Sequence, residues 1–323
     1  MNATRSIAAT ILIAAAAATL AAEPAYPTKP IRVVVPFAAG GSTDILIRTV
    51  GQKLTEQLGQ SMVIDNRGGA GGAIGAELAA KAVPDGYTIM ATTSGVIVVN
   101  PSLYRKLAYD PVADFAPVSI IASLPNMLVV SPSLPVKNVK DLIIMAKAKP
   151  DTMTYGSGGN GTSNHLAGEL LKYLAGVKLT HVPYKGGGPA VLAAMSGEVT
   201  LLFATMPSAM PQVKAGKLKA LAVTSRKRSD AMPDLPTMVE AGIKDFEMSI
   251  WIGALAPRGT PDAHVAKLNR EIARALQAPE VAARLRSEGY DPVGSSPKDM
   301  ASVIKTESAM WARVIKAADI HID

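Results

Sequence analysis

Along the chain, short runs of aliphatic and β-branched residues alternate with stretches whose apolar positions recur every three or four residues. Ile31 to Pro36 (IRVVVP) predicts a buried strand, and Ile47, Val50, Leu54 and Leu58 put one apolar face on a helix over Asp44 to Leu58. The same unit recurs. Further strands are predicted at Met62 to Ile64, Tyr87 to Thr92, Met127 to Ser131, Met153 to Gly156, Leu179 to Pro183, Val199 to Phe203 and Leu218 to Thr224. Helices are predicted at Gly72 to Ala82, Val139 to Lys147, Asn164 to Leu174 and Pro189 to Met195. Such alternation implies an α/β protein with mostly parallel sheets.

Proline-punctuated stretches at Asp110 to Pro125 and Met232 to Pro236 favour two sheets joined by two crossings. After Gly259 the pattern is helical, and Thr260-Pro261-Asp262 and Ser296-Pro297 are helix starts with an N-cap hydroxyl followed by proline. These late helices have apolar stripes that must cover a sheet, most simply that of the first lobe.

Residues 1–22 differ from the rest. Arg5 precedes the apolar run Ile7 to Leu20, which ends in small residues before Glu23-Pro24. This reads as a secretory signal peptide cleaved after Ala21 or Ala22; the run is too short and too interrupted by threonine for a membrane span of about 20 apolar residues. The expected mature chain is therefore soluble and outside the cytoplasm.

The absence of cysteine excludes disulfides, thiol nucleophiles and cysteine-based metal sites. His165, His181, His264 and His321 have no ligand spacing, so no metal and no cofactor is expected. The net charge is +7, but the basic residues are scattered and aromatic residues make up 4%, which leaves few stacking platforms for nucleic acid.

Two glycine loops between strand and helix carry the candidate chemistry. In Phe37-Ala38-Ala39-Gly40-Gly41-Ser42-Thr43-Asp44 and in Ser157-Gly158-Gly159-Asn160-Gly161-Thr162 the backbone can approach a ligand closely at a helix N-terminus, where an anion fits. For the first loop, a tight turn with Ser42 or Thr43 as N-cap explains the residues equally well. Gly156, Gly158 and Gly161 match a dinucleotide fingerprint, but no acidic residue follows about 20 positions on. Hydrolase elbows, a Walker lysine and zinc-protease motifs are missing, and no catalytic residue is assigned.

With PFAAGGSTD (36 to 44), DNRGGAGGAIGAELAAKAVPDGYT (65 to 88), NPSLYRKLAYDPVADFAPVS (100 to 119), SGGNGTSNHLAGEL (157 to 170), HVPYKGGGPA (181 to 190) and PSAMPQVKAGKLKALAVTS (207 to 225), the chain resembles the tripartite tricarboxylate transporter receptor family, the Bug proteins. That resemblance implies a two-lobed periplasmic binding protein of type II-like architecture, each lobe a mostly parallel sheet flanked by helices, with the ligand cleft between them. Lobe 1 is then residues 23–124 plus 247–323 and lobe 2 residues 125–246. It implies a receptor that captures a small carboxylate and passes it to a membrane permease of the tripartite type or to a sensor kinase; a monomer is expected, and the two facing anion loops with apolar Ala204 and Met206 favour a dicarboxylate or aromatic carboxylate. The site residues implied are Phe37, Ala39, Gly40, Gly41, Ser42, Thr43 and Asp44 from one lobe and Ser157, Asn160, Gly161, Thr162 and His165 from the other. Thr93, Ser94 and Ala204 are expected on the floor and wall. A secreted enzyme acting on a small carboxylated substrate is the alternative.

Overall fold

The computed structural model describes residues 26–317, so the expected signal peptide lies outside the described residues. Strand β1 (Ile31–Val35) leads through the first glycine loop into helix α1 (Ser42–Leu58), which buries Leu46, Ile47, Val50 and Leu54 and ends at Gly59 in the left-handed conformation. Next come β2 (Met62–Asn66), α2 (Ala73–Ala80), β3 (Thr88–Thr93), a wide turn over Gly95–Val99 and the short α3 (Asn100–Leu103). The middle of the chain holds β4 (Phe115–Val130), α4 (Val139–Ala148), β5 (Thr154–Ser157), α5 (Ser163–Ala175), β6 (Thr180–Pro183), α6 (Gly187–Ser196), β7 (Leu201–Thr205), α7 (Met206–Lys214) and β8 (Lys219–Val223). It closes with β9 (Ser249–Pro257), α8 (Asp262–Gln277), α9 (Pro279–Ser287), β10 (Asp291–Pro292) and α10 (Pro297–Ala317).

The strands follow the order β2-β1-β3-β9-β4-β7-β5-β6, with β8 and β10 also pairing β4. Long strand β4 belongs to two sets of partners. Phe115 to Pro125 pair with β9, whereas Asn126 to Val130 pair with β7 and β8. The sheets are mixed: β1 with β2 and β3, and β5 with β6 and β7, are parallel, while β9 and β4 run antiparallel to their neighbours.

Two sequence expectations need correction here. The segment Asp110 to Pro125 is not an irregular linker: from Phe115 it is strand β4, which changes partners between Pro125 and Asn126, and register shifts between Pro117 and Ser119 and between Ile120 and Ala122 bend the β4–β9 pairing beside Pro117. Nor does Met232 to Pro236 form the return crossing. The chain comes back beside Asn126 at Thr224, whose N–H donates to the Asn126 carbonyl at 2.9 Å, and at Met248, whose N–H donates to the Thr224 carbonyl at 2.8 Å.

Alternation along β4 and β7 divides the interior into two cores. Leu128, Val130, Leu201 and Phe203 face the larger one, and Met127, Val129, Leu202 and Ala204 face a smaller one closed by α6 and α7. Helices α8 and α10 pack on β4, and α8 also packs on α1. Ser296 caps α10, accepting the Asp299 N–H at 3.1 Å, with Pro297 in the first turn. The other expected cap differs: Thr260 donates to the Pro257 carbonyl at 2.8 Å instead, and α8 starts at Asp262.

Candidate functional site

Four helices point their N-termini at one small cavity. It is lined by Gly41, Ser42 and Thr43 at the start of α1, by Thr162, Ser163 and Asn164 at the start of α5, by Gly187 of α6 and by Thr205 just before α7. Phe37, Thr93 and Gly158 complete the wall, and no charged side chain lines it. Each of these helices follows directly on a strand end, β1, β5, β6 and β7, so the cavity lies where α/β sheets commonly hold ligands.

None of the four helices has a side-chain N-cap. No side-chain cap takes their first N–H groups, of which α7 lacks one at Pro207 and α6 one at Pro189, and four dipoles favour negative charge there. Ser42 and Thr43 are 5% and 2% exposed, and neither hydroxyl makes a hydrogen bond among the described residues. Donors of this kind hold a carboxylate without the desolvation cost of a buried Lys or Arg.

The surrounding residues fix the loops. Asn66 Nδ2 donates to the Phe37 carbonyl at 3.0 Å and Tyr290 OH to the Ser42 carbonyl at 2.6 Å. Asp44 is not on the cavity. Its Oδ2 accepts from the Gly40 N–H at 3.0 Å and from Arg48 Nε at 3.1 Å. Burial works against the Asp44 anion, but the hydrogen bonds from Arg48, Gly40 and Asn66 prevail and hold its pKa below the usual carboxylate value. On the facing side Asn164 Oδ1 accepts from the Gly158 N–H at 3.3 Å while its Nδ2 donates to the Phe203 carbonyl.

Beneath the second loop His165 and His181 stack with ring centroids 4.3 Å apart, and His181 stacks on Tyr155 at 4.8 Å. His165 Nδ1 accepts from the Gly161 N–H at 3.2 Å, and His181 Nε2 lies 2.6 Å from Ser157 Oγ. Burial lowers the pKa of His165; burial and then the facing His165 push His181 down to about 4. The histidine beside Ser157 is thus His181, while His165 holds the Gly161 N–H. Ser157 is fully buried, and the nearby carboxylate of Glu169 is taken by Tyr155 and Lys172.

Of the residues expected from the sequence, Phe37, Gly41, Ser42, Thr43, Thr93 and Thr162 line the cavity. Ala39, Gly40, Asp44, Ser94, Ser157, Asn160, Gly161 and His165 lie behind it or beside it. Gly40 gives its N–H to Asp44, and Gly161 gives its own to His165. Ala204 is in the smaller core because strand alternation turns it toward Met127 and away from the cavity, to which the next residue, Thr205, contributes. Ser163, Asn164, Gly187 and Thr205 were missed, and Gly158 was placed in the second glycine loop but not among the site residues. The run Gly186-Gly187-Gly188 between strand and helix was the available signal for Gly187.

Two sets of strands linked through β4, with a cavity of helix N-termini and hydroxyls, define a two-lobed solute-binding protein. The chain belongs to the tripartite tricarboxylate transporter receptor family, whose sequence profile matches residues 46–320. It is 37% identical over 320 residues to BugT of Bordetella pertussis, covering 98% of each chain. It resembles the structure of R. palustris Rpa4515 with adipate (TM-score 0.89, 42% identity, 92% of this chain and 99% of that one). The structure of MatC from Rhodopseudomonas palustris with bound malate is similar at TM-score 0.85 and 34% identity, covering 90% of this chain and 100% of that one. Receptors of this family are periplasmic, and among the described residues no helix is long and apolar enough to cross a membrane.

Proposed function

We propose that this receptor captures a small dicarboxylate, holding one carboxylate on the N-termini of α1 and α5. The observation that carries this reading is the convergence of four uncapped helix N-termini and two unbonded hydroxyls on a cavity without cationic side chains. Gly41, Ser42 and Thr43 act from residues 26–124 plus 247–317, and Thr162, Ser163, Asn164 and Gly187 from residues 125–246, so both lobes touch one ligand. The cavity measures about 30 Å³, room for about two waters, and ligand entry therefore needs the lobes to part and close again. Adipate and malate, seen on two relatives, are both dicarboxylates and support the same class.

The chain acts as an exported monomer whose signal peptide has been removed, and its closed form is recognised by a tripartite-type permease or a sensor kinase. The ligand leaves chemically unchanged. A thermal-shift panel of mono-, di- and tricarboxylates, aromatic acids and amino acids tests the reading: dicarboxylates raise the melting temperature most. Stabilisation by amino acids or uncharged compounds alone would refute it.

A further inference from the structure

The two sides of the cleft meet through glycines. A Cβ built on Gly95 would lie 2.8 Å from the carbonyl oxygen of Gly161, and its next neighbours would be Gly161 C and Thr162 Cα at 3.8 Å. A Cβ on Gly188 would lie 2.7 Å from the carbonyl oxygen of Ala39, then 3.3 Å and 3.5 Å from Gly40 C and Cα. Gly95 follows β3 and faces the loop after β5; Gly188 is in α6 and faces the loop after β1. The three nearest atoms that either added methyl would meet beyond its own helix and chain neighbours therefore belong to the opposite side of the cleft. Neither glycine has a positive φ, so alanine is compatible with the local backbone at both.

These contacts border the cavity. Gly161 adjoins Thr162, and Gly188 and Gly40 adjoin Gly187 and Gly41, all three neighbours lining it. Ser42 and Thr43, which line the cavity and whose hydroxyls make no hydrogen bond among the described residues, mark the same space as the place of a ligand. Backbone also meets backbone across the cleft where Gly71 faces Asn160 and Gly68 faces Lys185, but Gly71 has a positive φ and a Cβ on Gly68 would also strike its own side at Ala38, so Gly95 and Gly188 are points where an added methyl tests the spacing of the walls; rigid main-chain atoms there cannot rotate away as a side chain can.

We propose that Gly95 and Gly188 are specificity-determining positions that fix how far the lobes close and hence the length of ligand the closed cavity accepts. A methyl at either point leaves each lobe intact and holds the walls apart, so a ligand that bridges the normal gap no longer touches both. The proposal rests on the dicarboxylate reading for its choice of ligand, not for the spacing itself.

The test is calorimetric titration of wild type, Gly95→Ala and Gly188→Ala with straight-chain α,ω-dicarboxylates of increasing length. Each variant is expected to bind the wild type's best ligand about tenfold or more weakly, and longer homologues with a smaller loss, while the unliganded melting temperature stays close to that of wild type. An equal loss at all lengths, no loss, or a collapse of the unliganded melting temperature overturns the proposal. If wild type binds none of the series, the dicarboxylate reading fails, and the spacing is then decided without ligand. The chain has no cysteine, so spin labels can be placed by Val83→Cys and Tyr173→Cys, at positions 70% and 80% exposed. A shorter inter-label distance populated by wild type and lost in both alanine variants supports the proposal; identical distance distributions overturn it.

Discussion

His165 accepts the backbone N–H of Gly161 through Nδ1 at 3.2 Å, and this bond requires an imidazole without a proton on that nitrogen. Its stacked neighbour His181 is also held neutral, with its pKa down to about 4 from the ordinary 6.5. A histidine depressed in this way contributes stability that is complete above its unfolded pKa and is lost as pH falls through its folded one. The melting temperature is therefore expected to drop between pH 6.5 and 4, and His181→Gln to flatten that drop. An unchanged slope in the variant, followed by circular dichroism, would contradict the assignment.

Thr43, a residue only 2% exposed that lines the cavity, has a hydroxyl with no hydrogen-bond partner among the described residues. Thr43→Val should leave the unliganded protein as stable or slightly more so, because no protein hydrogen bond is lost. It should weaken ligand binding by about tenfold, the worth of one hydrogen bond to a charged group. Calorimetry on the variant checks the affinity and chemical denaturation the stability; a loss of stability without a loss of affinity would show the hydroxyl to be structural.

Asp44 behaves in the opposite way. Its carboxylate ties the Gly40 N–H to Arg48 behind the cavity, so Asp44→Ala is expected to cost about 2 kcal/mol of folding stability. Affinity should fall with it, since the first loop loses its anchor. Urea denaturation at neutral pH measures the stability loss, and a variant as stable as wild type would rule out this role.

The sequence made the βα units around the outer strands readable because each strand there is short, apolar and flanked by a glycine turn. Strand β9 escaped notice: Ser249–Pro257 is buried along nearly its whole length, so its pattern has no polar alternation, and it directly precedes a helical tail. Prolines 117 and 125 hid the first half of β4, since proline argues for a break unless a bulge or an unused N–H takes it up. At the site, both glycine loops carried a usable signal in the need for close approach. Gly187 carried the same signal in the run Gly186-Gly187-Gly188, but Pro189 drew the helix start two residues past it, and Thr205 follows an unbroken apolar strand with no turn between β7 and α7. Which backbone groups face the ligand and which are spent on Asp44 or His165 depends on contacts across the fold that no local spacing encodes.

The measurement that bears most directly on the site is the affinity for a dicarboxylate compared with its diamide, which has nearly the same shape without charge. Helix N-termini and hydroxyls aimed at an anion should bind the dicarboxylate and leave the diamide weaker by at least about a hundredfold, since charge-assisted hydrogen bonds are roughly twice as strong as neutral ones. At about 100 times the dissociation constant the dicarboxylate should stabilise the folded protein by about 2.7 kcal/mol. Equal affinity for acid and diamide would contradict the anion site.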